Sequence, residues 1–221
     1  MAEIKDGILG PIKGKVGTVV GVKYRGKGII RSLPQKSNKP ATEAQIKQRN
    51  KLTIVVGFLK TIRTFVNAHY PIKIVDGNTK IGYDQIRSTL MKEGIVITDD
   101  TLAIRAEKVI LSIGPLPPAP ISKISFLKNR KIKIQWDNST LNGLTAADDT
   151  LTILMFNAYE NKFEVIEHVG TRESKYNSIA IPDEWTTGVI HFWSVWTTID
   201  QSMYSTSLYH GTLELADMEV D

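Results

Sequence analysis

Between Gly114 and Ile121 the chain reads Pro115-Leu116-Pro117-Pro118-Ala119-Pro120, four prolines in six residues. Proline fixes φ and has no backbone N–H, so no helix interior or central strand can pass through this segment. It is read as a linker over 115–120, and a domain boundary is expected there. The chain differs in kind on its two sides. Beyond residue 120, short apolar runs recur about every ten residues: ISKISFL, KIKIQWD, TLTILMF, KFEVIEHV, SIAIP, VIHFWSVWTTI and MYSTSLYHGTLEL. Seven such runs separated by turn residues predict a seven-stranded antiparallel β-sandwich over 121–216, with an acidic tail at 217–221. In KIKIQW, Ile132, Ile134 and Trp136 alternate with Lys131, Lys133 and Gln135, so one face is core and Trp136 an anchor. VIHFWSVW has large side chains on both faces, which predicts a central strand covered on both sides or one that offers Trp193 or Trp196 to an interface.

The half before the prolines is organised differently. Residues 7–32 place glycines at 7, 10, 14, 17, 21, 26 and 28 among short Val and Ile runs. This pattern disfavours helix and predicts one or two hairpins, an arm over 1–39 with little core of its own. Thr42 with Gln45 three residues later forms a capping box. The apolar series Ile46, Leu52, Val55, Val56, Leu59, Ile62, Phe65, Val66 then predicts one long helix closed at Tyr70-Pro71, with Gly57 as a bend. A shorter helix over 83–93 ends at Gly94, and two strands flank Asp99-Asp100. The segment 40–114 is expected to pack with the arm. The fold class is thus α+β: a glycine-rich β-hairpin arm, a long helix, and a C-terminal sandwich.

Charge sets the partner classes. Residues 1–80 hold 16 Lys and Arg against 4 acids, and residues 81–221 hold 12 against 19, giving +12 and −7. A basic half of this kind faces an acidic partner: nucleic acid, an anionic assembly surface, or the acidic half of another copy. The partner-binding residues expected on the arm and its helix are Lys13, Lys15, Lys23, Tyr24, Arg25, Lys27, Arg31, Lys36, Lys39 and Arg49. Nucleic acid could be held by such charge alone, but Tyr24 is the one aromatic in the basic stretch and no reading motif accompanies it. No apolar run approaches the ~20 residues that span a bilayer, and the N-terminus lacks a secretory apolar core. Synthesis in the cytoplasm, without a membrane partner, is expected, with incorporation into a virion or extracellular assembly left open.

Catalytic motifs fail one by one. Gly21–Gly28 has the GxxxxGK spacing, but Gly28 replaces the magnesium-binding Ser or Thr and no helix pattern comes after it. His69, His168, His191 and His210 are scattered, and the chain has no cysteine, so no metal site or cofactor is expected. Asp99-Asp100 and Asp148-Asp149 fit turns, where Asp bonds its own backbone. There is no GxSxG elbow, and no enzymatic activity is expected.

The pattern GILGxxxGKVGxVVGxxYxGxxxIRSLPxKxNxPxTxAQxxQRxKL, from Gly7 to Leu52, resembles an uncharacterised Bacteroidota family, domain of unknown function 6266. VILSIGPLP, KIKIQWDNS, ADDTLTILMFNAYENKF, IAIPDEW and SxSLYHGTLEL look like the same family, so the resemblance covers nearly the whole chain. Thr42, Gln45, Gln48 and Arg49 also resemble helices of phage and prophage structural-cluster proteins, and the C-terminal half is similar to fibronectin type III or immunoglobulin-like modules. These resemblances imply a non-enzymatic structural or assembly protein, a virion component that uses its arm for contacts with itself or other structural subunits, as a homo-oligomer. The alternatives are a nucleic-acid-binding protein, and a carbohydrate- or surface-binding adhesion module using Trp185, Trp193 or Trp196.

Overall fold

A computed structural model of the chain describes residues 3–4, 10–24, 27–35, 39–75, 78–98, 101–138 and 142–216. The expected acidic tail at 217–221 lies outside them. The fold is α+β, with its strands in several antiparallel sheets and few helices. The chain divides into two compact units, Met1–Ile46 and Lys47–Asp221.

The first unit is a four-stranded antiparallel meander, β1 (Glu3–Ile4), β2 (Ile12–Val16), β3 (Val19–Tyr24) and β4 (Lys27–Ser32), in that spatial order. Two residues, Gly17 and Thr18, join β2 to β3, and Gly17 takes the positive φ of 55° that such tight hairpin turns need. Two more glycines make room for the chain itself. A Cβ at Gly21 would stand 1.9 Å from the Ile12 carbonyl oxygen, and one at Gly28 would stand 2.6 Å from Pro11 Cβ. Pro11 and Ile12 therefore lie over the bare glycine face of β3 and β4.

Helix α1 (Glu43–Lys60) begins with the predicted capping box: Thr42 N–H donates to Gln45 Oε1 and Gln45 N–H to Thr42 Oγ1. The expected single helix is two. α1 stops at Lys60, and α2 (Arg63–Ala68) begins after Thr61-Ile62, while Gly57 sits inside α1. A hairpin, β5 (Lys73–Val75) and β6 (Asn78–Lys80), leads to α3 (Gly82–Glu93), which ends where Gly94 N–H donates to Leu90 O. β7 (Ile95–Thr98) and β8 (Thr101–Ile104) form the expected second hairpin.

Seven further strands make two sheets. β9 (Ile121–Leu127), β10 (Lys131–Trp136) and β13 (Tyr176–Ala180) are ordered β13-β10-β9; β11 (Thr150–Asn157), β12 (Lys162–Thr171), β14 (Val189–Thr197) and β15 (Leu208–Glu214) are ordered β12-β11-β14-β15. Alternation along β11 and β14 splits their side chains between two cores. Leu151, Ile153, Met155, Phe192 and Trp196 cluster with Ile132, Ile134 and Trp136 of the smaller sheet. Leu154, Phe156, Trp193 and Val195 cluster instead with Val55, Phe58, Leu59 and Val66 of the helices, and with Ile86 and Leu90 of α3. VIHFWSVW is thus a central strand with both faces covered, and Trp193 and Trp196 are fully buried on opposite sides.

This second core draws on residues from both sides of the proline segment. The prolines do not separate compact units, because Lys47–Asp221 is continuous across them. Leu116 and Ala119 are buried, and the carbonyls of Pro117 and Pro120 accept bonds from Arg172 and Asp137. Proline removes donors but leaves acceptors, so the segment is stitched in through its carbonyls and its two apolar side chains.

Candidate functional site

Partner-binding residues were expected on the arm, and the register of its sheet sorts them. Lys15, Val20 and Arg31 are directly opposite one another across β2, β3 and β4; Val22 pairs Ile29 and Tyr24 pairs Lys27. Opposed residues share a face, and so do residues two apart along a strand. One face therefore carries Lys15, Tyr24, Lys27 and Arg31 around Val20, Val22 and Ile29. Lys23, opposite Gly28, belongs to the other face with Ile30. Lys13 pairs Glu3 beyond the bend at Gly14, whose φ is 108°. Lys39 is exposed in the segment after β4, and Arg49 is exposed on α1. Arg25 and Lys36 lie outside the described residues. Of the ten, the structure gathers four onto one surface.

The strands β2, β3 and β4 carry no acid, since no Asp or Glu occurs between Asp6 and Glu43. That surface is also apolar in part. All six residues of β4 are exposed, including Ile29 and, on the reverse face, Ile30 at 59%. β4 closes the order β1-β2-β3-β4, so one edge of its backbone has no strand beside it within this sheet.

The tryptophans weighed for carbohydrate binding lie in the larger unit. Trp185, Trp193 and Trp196 are 2%, 0% and 0% exposed, so none offers a face to a sugar ring, and the indole N–H groups of Trp193 and Trp196 donate to Val109 O and Ala119 O. The described residues of the GxxxxGK stretch fall on β3 and β4 of the arm rather than before a helix. Among the described residues no group of three or more His, Asp or Glu is placed to hold a metal ion, and no helix is long and apolar enough to cross a membrane.

Two pairings were invisible in the sequence. Ser194 Oγ and His210 Nε2 lie 2.7 Å apart on β14 and β15. Burial pushes the His210 imidazole down to about 4, and Ser194 is fully buried; this is a hydroxyl that no substrate reaches. The second is Arg172 with Asp149, Nε to Oδ2 at 2.7 Å, both side chains sealed from solvent. Neither pair has a local spacing that could have announced it, because 16 and 23 residues separate the partners.

The model of one protein family, described as a family of unknown function, matches residues 11–211. The chain belongs to DUF6266. The match begins on the arm, at the proline that lies over Gly28, and runs to Gly211 in β15, so it covers most of both compact units. No curated protein and no solved structure matches the chain.

Proposed function

We propose that this DUF6266 member is a non-enzymatic assembly protein, a phage- or prophage-derived virion component, in which the arm sheet joins neighbouring subunits. The observation that carries the reading is β4: an edge strand exposed along its whole length, with Ile29 and Ile30 bare on opposite faces. A small sheet that leaves its apolar residues and one backbone edge in water gains most by adding a strand from a neighbour. The acid-free basic stretch of the arm and the −7 of residues 81–221 make another copy of this chain a complementary partner. In this reading the seven strands of the larger unit form a sandwich of the fibronectin type III or immunoglobulin-like kind. Its support is the strand order β13-β10-β9 beside β12-β11-β14-β15, a three-and-four division joined by antiparallel neighbours. Its outer surface is then left for contacts with other components.

Light scattering of the full-length protein at low and high salt, beside a variant lacking residues 1–32, tests this. An oligomer free of nucleic acid that is lost on removing the arm, with the larger unit still folded, is the expected result. Assembly that survives the truncation overturns it. A second reading is favoured by the common face of Lys15, Tyr24, Lys27 and Arg31, which suits a phosphate backbone. If the protein is a monomer that carries nucleic acid at low salt, and a Lys15→Glu, Lys27→Glu, Arg31→Glu variant binds every sequence more weakly with a flatter salt dependence, the arm is a nucleic-acid surface instead.

A further inference from the structure

The larger unit contains a cavity of about 170 Å³ beside the end of α2, over the helix-facing side of the four-stranded sheet. At about 30 Å³ per molecule it has room for roughly six waters. Its wall includes His69, Thr152, Glu167, Thr197, Gln201 and Tyr204, a set drawn from α2's end, three strands and the loop before β15. Most cavities between a helix layer and a sheet are apolar; this one is lined by hydrogen-bonding groups that the protein does not pair. The side chains of Thr152, Glu167, Thr197, Gln201 and Tyr204 make no hydrogen bond among the described residues. His69 donates from Nδ1 to Phe65 O at 2.9 Å, since a carbonyl can only accept. Burial lowers its pKa, opposed by the Phe65 hydrogen bond and then by the Glu167 charge, so Nε2 presents a bare lone pair.

Two of the six described non-glycine residues with positive φ lie at the same place. His168 and Gln201 both border the cavity, and both take positive φ, 53° and 56°. Side-chain-bearing residues avoid that region, and it is held where the surroundings over-determine it, often at ligand sites. His168 sits where the β11–β12 register slips between Leu151 and Ile153, a bulge that brings Glu167 and His168 to the cavity together.

We propose that this cavity binds a small uncharged, hydroxyl-rich molecule, a single sugar ring or a polyol of that size. The class is set by the lining. An anion would meet the Glu167 carboxylate with no cation beside it. An apolar ligand would leave the hydroxyls of Thr152, Thr197 and Tyr204 unpaired. A metal ion lacks a cluster of ligands among the described residues. Hydroxyls that both donate and accept match three protein hydroxyls, an amide, a carboxylate and an imidazole lone pair, and the rings of His69 and Tyr204, 5.1 Å apart, give the C–H face of a sugar an apolar wall. The site is independent of the arm and of the assembly reading.

The experiment uses the full-length chain and saturation-transfer NMR with glucose, galactose, mannose, N-acetylglucosamine and glycerol, and then titration. At least one sugar or glycerol is expected to bind with a Kd in the millimolar range, and Thr152→Val and Glu167→Gln each to weaken it about tenfold. Thr152→Val keeps the shape of the strand residue and Glu167 is exposed, so thermal melts of both variants should match the parent. No transfer from any of the five up to about 50 mM overturns the proposal. So does binding that neither variant weakens, or binding of methylammonium more tightly than every sugar.

Discussion

Arg172 is fully buried, and three neighbours hold its guanidinium. Nε donates to Asp149 Oδ2, Nη2 donates to Pro117 O at 2.6 Å, and the Trp196 ring centre lies 4.7 Å from Cζ. Asp149 Oδ2 also accepts from Ala146 N–H, while Oδ1 has no partner among the described residues. A buried charge is tolerated while its counter-charge is present and becomes costly when it is not. Asp149→Ala is expected to lower the unfolding free energy by about 3–5 kcal/mol, and the double replacement Asp149→Leu, Arg172→Met by much less. Urea titration of the three proteins measures it; equal losses in single and double variants would sink the account. His210 gives a pH counterpart. Its folded pKa of about 4 lies below the ordinary 6.5, so between those values the unfolded chain binds the proton more readily. Stability from this group is complete above pH ~6.5 and is lost as pH falls toward ~4, on the order of 3 kcal/mol in all. His210→Gln should flatten that acid slope in melts between pH ~7 and ~4.

At the scale of elements, what the sequence made legible was what repeats. Lys131–Trp136 could be read from strict alternation, and α3 from its periodicity and Gly94. The break at Thr61-Ile62 could not, because Ile62 is buried in the same core as Leu59 and Phe65, so the apolar spacing runs on through an interrupted helix. β5 and β6 have three residues each, too few to show a period. The arm was readable as glycine-punctuated strands, but not as a sheet that folds over its own bare face; that depends on how close Ile12 comes to Gly21. Gly21→Ala puts a methyl where the Ile12 carbonyl oxygen stands, 1.9 Å from the new Cβ. The first half of β2 must then lift off β3. Hydrogen exchange should show faster exchange of the β2 and β3 amides, while melting of the larger unit is unchanged. Protection equal to the parent's would mean that β2 does not lie there in solution.

Over the whole molecule, the prolines were the most conspicuous signal, and the compact unit Lys47–Asp221 runs across them. Composition marks where regular structure must stop, but it does not say whether the two sides share a core. Here they do. Leu154, Phe156, Phe163, Trp193 and Val195 face the helices across the outer side of the four-stranded sheet, and nothing among the described residues of 121–216 replaces that cover. Tyr70 O–H donates to Ile110 O, Leu111 N–H to Ser207 Oγ, and Ser112 Oγ–H to Ser205 O, so the strand-less stretch before the prolines ties the helical segment to the end of the sheet. Uncovering five large apolar side chains, each worth about 1.5–3 kcal/mol when buried, forfeits on the order of 10 kcal/mol. A whole domain is stable by only about 5–15 kcal/mol. A fragment of residues 121–216 is therefore expected to be aggregation-prone or unfolded, whereas residues 47–221 should melt in one cooperative transition near that of the full chain. Circular dichroism melts of the two fragments decide this. A 121–216 fragment as stable as the longer one would restore the proline segment as a true boundary, and would mean that the helices rest on a sheet that does not need them.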